Sequence, residues 1–362
     1  MKPTALLLSL LMALFWNCSS SDDSNPDPQD PTPESIYFPP IDGSETWESI
    51  TPQELGWNDS ALQPLLEYLE EKNSKGFIML HKGKIVVEHY MNDHEDDLNW
   101  YWASAGKTLT ATVSGIAQDE GLIAIDNRVS DYLGAGWTSA PLEKEQMITC
   151  KNLLSMTSGL DDSLGDDVSP ENLQYLADAG NRWAYHNVYV KMQDVVAEAS
   201  NQTWNNYFNA KLRDRIGMNG VWIPVDDLSV YWSTTRSMAR FGLLVYAKGE
   251  WEDTRIVSES YIAESTNTSQ NINNAYGYLW WLNGKSSYKL PGLQLEFQGE
   301  LIPNAPDDMF AALGKNDQKL YIVPSKDLVI VRLGEVANPE NPTFALSGFD
   351  NELWSYINAL ID

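Results

Sequence analysis

The chain has 362 residues, 43% hydrophobic and 21% charged, which is an ordinary composition for one large folded domain or two smaller ones. Its formal net charge of -27 excludes a surface built to bind phosphate groups. We therefore expect no nucleic acid as a partner, and no membrane contact through a basic patch.

The N-terminal sequence indicates a different mode of membrane attachment. Met1-Lys2 and the apolar run ALLLSLLMALFW are too short to span a bilayer, which takes roughly 20 residues, but they fit a signal-peptide core. The run ends at Cys18 before SSSDDS, a junction that resembles the lipobox of bacterial lipoproteins. The resemblance implies a signal peptide over residues 1–17 and a lipidated Cys18 that anchors the chain to the bacterial cell envelope, at the outer membrane. A cleaved secretory signal with an incidental cysteine is the alternative.

Residues 18–45 are rich in Pro, Ser and Asp and contain too little apolar surface to order themselves. The sequence predicts a disordered tether here, followed by one folded domain over residues 46–362. The second cysteine, Cys150, begins an apolar helical pattern and is interpreted as a buried small side chain, so we expect no disulfide.

The predicted elements begin with a helix capped by Asp59 or Ser60, because leucines recur at helical spacing from Leu62 to Leu69. Two apolar runs then flank Lys82-Gly83, which predicts an antiparallel hairpin. Helical periodicity dominates about residues 105–240. Near the C-terminus, the runs MFAALGK, QKLYIVPS and DLVIVRLGE predict three strands before a closing helix. This order predicts an α+β fold, with an antiparallel sheet from both chain ends and an inserted helical lobe.

A serine and a lysine stand three residues apart in WASAGKTLTATVSG, at Ser104 and Lys107. A second such pair, Ser286 and Lys289, lies among Asn, Gly and Pro, where no helix would fix its geometry. Apolar spacing after Ser104 predicts a helix that ends at Gly121, with Ser104 and Lys107 on one face of its first turn. A helix N-terminus favours developing negative charge, and burial lets a lysine act as a base near neutral pH.

The sequence lacks the signature motifs of other classes of hydrolase. No serine stands in Gly-x-Ser-x-Gly, and no His-Glu-x-x-His occurs among the four histidines. The run NDHEDD is interpreted as a solvated acidic loop rather than a metal site. We therefore expect neither a metal nor a cofactor.

WASAGKTLTATVSG resembles the first motif of the class C β-lactamase and penicillin-binding-protein-like serine hydrolases. NRWAYHNVYV matches their Tyr-x-Asn motif at Tyr185 and Asn187, and further segments match in order, closest to the branch of esterases, D-amino-acid peptidases and nylon-oligomer hydrolases. The resemblance implies a β-lactamase/transpeptidase-like fold in which Ser104 attacks a carbonyl and Lys107 takes its proton. It also implies that Tyr185, with a pKa lowered by lysine neighbours, passes the proton on, and that Asn187 binds substrate or Lys107. His186, between them, is expected to point away. Taken alone, Tyr185 is better explained as a core tyrosine, but the other motifs favour the catalytic role.

The third family motif matches Lys315-Asn316-Asp317, where aspartate stands in place of the usual glycine. We expect Asp317 to narrow the cleft and add negative charge, giving either an altered specificity or an inactive site. By this register the backbone N–H groups of Gln318 and Ser104 would form the oxyanion hole. Lys315, Asp317 and Gln318 thus join Asn187 as expected substrate-binding residues.

Three functions remain open at this point. The first is a serine hydrolase that cleaves a small ester, amide or peptide through a Ser104 acyl-enzyme. The second is a penicillin-binding D-amino-acid peptidase or β-lactamase. The third is a non-catalytic surface binding lipoprotein. Fourteen tryptophans suit either core packing or an aromatic-walled pocket.

Overall fold

The computed structural model describes residues 35–42, 46–225, 228–340, 346 and 348–362, and Ile36–Asp362 pack as one unit. The predicted signal peptide, Cys18 and most of the predicted tether lie outside the described residues. Within the described ranges, no helix is long and apolar enough to cross a bilayer.

A six-stranded antiparallel sheet lies at the centre of the fold, in the order β2-β1-β13-β12-β11-β8. Its strands are β1 (Ser74–His81), β2 (Lys84–Tyr90), β8 (Trp281–Leu282), β11 (Phe310–Gly314), β12 (Gln318–Val323) and β13 (Leu328–Gly334). The predicted hairpin is β1–β2, in which both turn residues, Lys82 and Gly83, have positive φ. Because β1 pairs with β13, the two ends of the chain build one sheet, as the order of elements indicated.

Helices cover both faces of this sheet. They are α1 (Leu62–Glu71), α8 (Thr235–Tyr246) and α10 (Gly348–Ile361). Successive strand residues point to opposite faces. A Cβ on Gly242 of α8 would lie 2.7 Å from Leu320, whereas the next residue, Tyr321, packs on Trp354 of α10. Burial on both faces explains why β12 and β13 are almost continuously apolar instead of alternating.

The remaining elements form the inserted lobe and its surroundings. The helices are α2 (Lys107–Asp119), α3 (Ser130–Leu133), α4 (Leu142–Glu145), α5 (Cys150–Leu154), α6 (Lys191–Ser200), α7 (Trp204–Phe208) and α9 (Glu259–Ser265). The strands are β3 (Trp100–Tyr101), β4 (Val221–Val225), β5 (Leu228–Ser233), β6 (Glu250–Trp251), β7 (Thr254–Arg255), β9 (Ser287–Tyr288) and β10 (Phe297–Gln298).

Two local predictions were wrong. The lobe is not wholly helical, because β3, β5 and β4 form a three-stranded sheet. In addition, neither Asp59 nor Ser60 caps α1: Asp59–Ala61 form a 3₁₀ turn and Ala61 occupies the cap position. Cys150 is buried as expected, and burial raises the pKa of its thiol to about 12.

Charged side chains lie inside the sheet beside its apolar core. Lys319 of β12 is fully buried, and its Nζ lies 2.9 Å from Asp350 Oδ2 on α10 and 3.2 Å from Asp317 Oδ1. Tyr321 donates to the other oxygen of Asp350. Opposite charges and a hydroxyl therefore satisfy each other here, and they tie α10 to the start of β12.

We predict that Lys319→Met lowers the free energy of unfolding by roughly 3–5 kcal/mol, because it leaves the carboxylates of Asp317 and Asp350 buried without their ammonium. Urea denaturation followed by circular dichroism measures the change. Lys326→Met is the control, since Lys326 pairs with Asp362 on the surface, and it should leave the midpoint nearly unchanged. Equal midpoints for both variants would show that the buried network contributes nothing to stability.

Candidate active site

Ser104 lies in a 3₁₀ turn, Ala103–Gly106, that leads directly into α2. The turn is anchored by Trp102, whose fully buried indole donates to Ser233 Oγ at 2.8 Å and whose backbone N–H donates to the Tyr231 carbonyl. Ala103 has φ of 47°, a conformation that costs energy for a residue with a Cβ. This strained residue immediately precedes the serine and turns it towards a cavity.

Lys107, the first residue of α2, is only 3% exposed, and its Nζ donates to Ser104 Oγ at 2.8 Å. Burial lowers the pKa of Lys107 to about 7, and the nearby Asp166 carboxylate opposes this shift. The ammonium also lies over two aromatic faces, 5.2 Å from the Tyr185 ring centroid and 4.5 Å from that of Tyr189. The pair predicted from spacing is therefore a real contact, with a lysine that can be neutral near pH 7.

Tyr185 is buried against the same lysine, in an aromatic cluster with Trp183, Tyr276 and Trp281. Burial raises the pKa of Tyr185 to about 12, and a hydrogen bond with the Ser104 side chain partly offsets the rise. The expectation of a lowered pKa was wrong, because desolvation by burial outweighs the hydrogen bond with Ser104. The phenol therefore stays protonated at neutral pH and is available as a proton donor.

Asn187 lines the cavity but contacts Asp166, and His186 departs from its expected direction. The Asn187 amide donates to Asp166 Oδ1 at 2.8 Å rather than to Lys107. His186, expected to point away, lines the cavity with Asn187 and Asp166. Burial lowers the pKa of His186 to about 4, so its ring is uncharged at neutral pH.

The Lys315–Asp317 turn enters β12 in an unusual conformation. Asn316 and Asp317 have φ of 60° and 59°, the left-handed region in which Asn and Asp are the least strained residues after glycine. The Asp317 carboxylate accepts a hydrogen bond from the Ala337 N–H at 3.0 Å and pairs with Lys319. It is buried away from the cavity, so the prediction that Asp317 narrows the cleft was wrong. Lys315 does line the cavity.

Gln318 stabilises the same turn from the protein interior. Its fully buried amide donates to the carbonyl oxygens of Asn316 at 2.8 Å and Gly334 at 2.7 Å, and it is not among the residues that line the cavity. Instead β11 ends against the Ala103–Gly106 turn: a Cβ on Gly314 would lie 2.4 Å from the Trp102 carbonyl oxygen and 3.1 Å from the Ala105 nitrogen. The backbone beside Ser104 is therefore that of Gly314 and Lys315.

Six of the residues discussed above line one cavity of about 420 Å³: Ser104, Lys107, Tyr185, His186, Asn187 and Lys315. Sequence reasoning missed many of the residues that line it: Ala103, Asp162, Gly165, Asp166, Tyr189, Leu228, Ser229, Val230, Pro291 and Gly292. The one available signal was the acidic loop DDSLGDD, which stands shortly before Tyr185 in the chain. A second cavity of about 480 Å³, lined by Trp47, Asp96 and Arg240, does not include Ser104.

The second Ser-x-x-Lys pair forms no comparable arrangement. Lys289 follows β9, and its ammonium donates to the Gln294 carbonyl oxygen at 2.5 Å. The Ser286 carbonyl accepts a hydrogen bond from Gly299 in the same region. Context, rather than spacing, thus distinguishes the two pairs.

Comparison with known protein families assigns this chain to one of them. The β-lactamase family model matches residues 76–345, so the chain belongs to the β-lactamase family. The comparison with curated protein sequences finds no match.

Solved structures share the β-lactamase/transpeptidase-like fold at low sequence identity. A candidate β-lactamase from Bacteroides dorei is 15% identical with a TM-score of 0.66, over 84% of this chain and 99% of that one. A candidate 6-aminohexanoate-dimer hydrolase from Bacillus anthracis is 18% identical with a TM-score of 0.65, over 90% and 89%. A family VIII carboxylesterase is 15% identical with a TM-score of 0.63, over 83% and 96%.

We predict that Gly314→Ala lowers kcat about 100-fold, because the added Cβ overlaps the Trp102 carbonyl and pushes β11 away from Ser104. Steady-state hydrolysis of a p-nitrophenyl ester measures the loss, and a thermal melt checks that the protein is folded. Gly348→Ala is the matched control, since its Cβ would meet no atom of a described residue within 4 Å. Full activity in Gly314→Ala would show that the close approach of β11 is not required.

Proposed function

We propose that this protein is a serine hydrolase that cleaves an ester or amide through an acyl-enzyme on Ser104. The observation that carries the proposal is the 2.8 Å hydrogen bond between Ser104 Oγ and the Nζ of a lysine that is 3% exposed. A lysine in water is protonated at neutral pH and cannot accept a proton, whereas burial makes Lys107 a usable base. Membership of the β-lactamase family, and hydrolases among proteins of the same fold, support the same chemistry.

Acylation needs one bond to form and one to break. Ser104 Oγ bonds to the substrate carbonyl carbon while neutral Lys107 takes the hydroxyl proton. The bond to the leaving oxygen or nitrogen then breaks as Tyr185 donates its phenolic proton there and is reprotonated from Lys107. A phenol with a pKa of about 12 suits this donor role better than that of a base. In deacylation, water attacks the acyl carbonyl carbon while Tyr185 takes its proton and passes its own proton to Lys107. The ester bond to Ser104 Oγ then breaks as Lys107 protonates that oxygen, which releases the acid and restores the starting state.

The developing oxyanion requires hydrogen-bond donors near Ser104. We assign one to the Ser104 backbone N–H, at the start of the turn into α2. The second donor is the backbone N–H of Lys315, because Lys315 lines the cavity and follows Gly314 at the closest approach of β11 to the turn. This replaces the assignment to Gln318 that the motif register suggested.

A β-lactamase or penicillin-binding activity is the second candidate. The turned-away Asp317 carboxylate removes the objection that was raised from sequence, and Lys315 offers a cation for a substrate carboxylate. However, Asp162 and Asp166 line the same cavity and disfavour anionic substrates. We therefore expect labelled penicillin to acylate Ser104 more slowly than a neutral ester does.

We predict that kcat/KM for a neutral ester rises about tenfold per pH unit below pH 7 and then levels off, because Lys107, with a pKa of about 7, must be neutral to accept the proton. The pKa values of His186, about 4, and Tyr185, about 12, lie outside this window. Asp166→Asn is the matched variant: it removes a charge that raises the Lys107 pKa, so the inflection should move to lower pH. A flat profile between pH 5 and 8 would contradict Lys107 as the base.

We predict that Ser104→Ala abolishes ester hydrolysis and labelling by a fluorophosphonate, because the atom that forms the covalent bond is gone. Intact-mass spectrometry detects the adduct, and Ser286→Ala serves as the control that keeps both. Tyr185→Phe should keep slow labelling but lose roughly 100-fold or more in kcat. Wild-type protein that forms no adduct would favour the non-catalytic binding lipoprotein.

A further inference from the structure

The β4–β5 hairpin turns apolar side chains outward. Val221, Ile223 and Val225 alternate along β4 and are 50%, 40% and 47% exposed. On the other face of the hairpin, the opposed residues Trp222 and Tyr231 are buried, with ring centroids 5.1 Å apart. A strand that buries one face normally carries polar residues on the other. Packing of the protein core therefore does not explain the outward apolar residues.

This outward face continues into the cavity that contains Ser104. Ile223 is paired with Val230, and Val225 is paired with Leu228, in the register of the hairpin. Directly opposed residues of antiparallel strands lie on the same face, so these four side chains form one apolar strip. Leu228 and Val230 also line the cavity. The apolar strip therefore connects the cavity with the exterior of the hairpin.

A second apolar segment lies at the same cavity. Pro291, in the loop between β9 and β10, lines the cavity, and Leu293 and Leu295 follow it with exposures of 45% and 63%. The carbonyl oxygen of fully buried Trp183 accepts a hydrogen bond from the Gln294 side chain at 2.7 Å, which anchors the loop. Two separate parts of the chain thus present apolar side chains at or beside one cavity.

Three occupants could cover the apolar strip: part of the substrate, a second copy of the chain, or a lipid surface. Pro224 has no N–H to donate and interrupts β4 as a pairing edge, and two copies that each carry a net charge of -27 repel each other. The same charge opposes contact with anionic lipid headgroups. A substrate chain is favoured, because the strip begins among the residues that line the cavity of Ser104.

We infer that the substrate carries an unbranched apolar acyl chain that runs from Ser104 along the apolar strip. This inference rests on the proposed function and narrows it to fatty acyl esters or amides. Leu228 and Val230 lie about 7 Å apart along β5, so a short acyl group such as acetyl does not contact both. Asp162 and Asp166 line the same cavity and disfavour a chain with a negative charge.

A series of p-nitrophenyl esters tests the inference. Butyryl, hexanoyl and octanoyl esters are compared below their critical micelle concentrations, and each kcat/KM is divided by the spontaneous hydrolysis rate of the same ester. Complete burial of a methylene, at about 0.8 kcal/mol, corresponds to about fourfold in kcat/KM, so a chain covered on one side should gain about twofold per methylene. We therefore expect the octanoyl ester to exceed the butyryl ester by about tenfold or more.

The double variant Ile223→Thr/Val225→Thr keeps β-branched side chains in β4 and should lower the octanoyl-to-butyryl ratio about fivefold. Leu98→Thr/Leu142→Thr is the matched control, since Leu98 and Leu142 are 43% and 53% exposed and belong neither to the strip nor to the cavity lining. The control should leave the ratio unchanged. An equal fall in the control would mean that surface hydrophobicity in general sets the preference, and the inference would be wrong.

Two further measurements address the other occupants. A dimer in sedimentation equilibrium that the double variant dissociates would assign the apolar strip to a second copy of the chain. Cosedimentation with phosphatidylcholine vesicles that the double variant loses would assign it to a lipid surface. Either result overturns the inference, whereas an unchanged oligomeric state and unchanged vesicle binding support it.

The outcome also separates this inference from the proposed function. If the butyryl ester acylates Ser104 but the octanoyl ester is no better a substrate, the inference fails and the hydrolase proposal stands. If no ester acylates Ser104, the hydrolase proposal fails, and calorimetric binding of octanamide and butyramide to the Ser104→Ala protein decides the inference. Tighter binding of octanamide that Ile223→Thr/Val225→Thr removes supports the strip, and equal binding of the two amides overturns it.

Discussion

The burial of one lysine ammonium is the constraint on which the site depends. Desolvation lowers the pKa of Lys107 to about 7, but an isolated charge in an apolar interior is costly, so the surroundings must compensate in part. Two tyrosine faces and the Asp166 carboxylate provide this compensation without a direct ion pair. The aromatic packing around Tyr185 therefore helps to set the pKa of Lys107, because it excludes the water that would return the lysine to its ordinary pKa.

A second constraint lies in the backbone on the other side of Ser104. The Lys315–Asp317 turn contains two left-handed residues, each of which costs roughly 1–2 kcal/mol without compensation. Fully buried Arg332 donates to the carbonyl oxygens of Asn316 and Asp317, and the Gln318 amide also binds Asn316. Through Lys319 the same network reaches Asp350 on the last helix. Side chains from distant parts of the sequence thus hold the strained turn beside Ser104.

Local sequence patterns were sufficient to predict much of the fold. The β1–β2 hairpin, the strands β11 to β13 and the helix after Ser104 follow from apolar periodicity and turn residues, which act within a few neighbours. The three-stranded sheet of β3, β5 and β4 was missed because two of its strands, VWIPV with its internal proline and the two-residue β3, carry weak signals. The direction of Asp317 and the raised pKa of Tyr185 were missed for a different reason, since both depend on residues far away in the chain.

The sequence by itself determined the class of the fold, the order of the motifs and the closeness of Ser104 and Lys107, because residues three positions apart in a helical turn lie on the same face. Only the tertiary structure decided what surrounds that pair. It buried Lys107 and Tyr185, turned the Asp317 carboxylate into the core and brought Asp162, Asp166 and His186 to the cavity. The physical reason is that pKa values and side-chain directions depend on burial and on long-range partners, and spacing along the chain encodes neither.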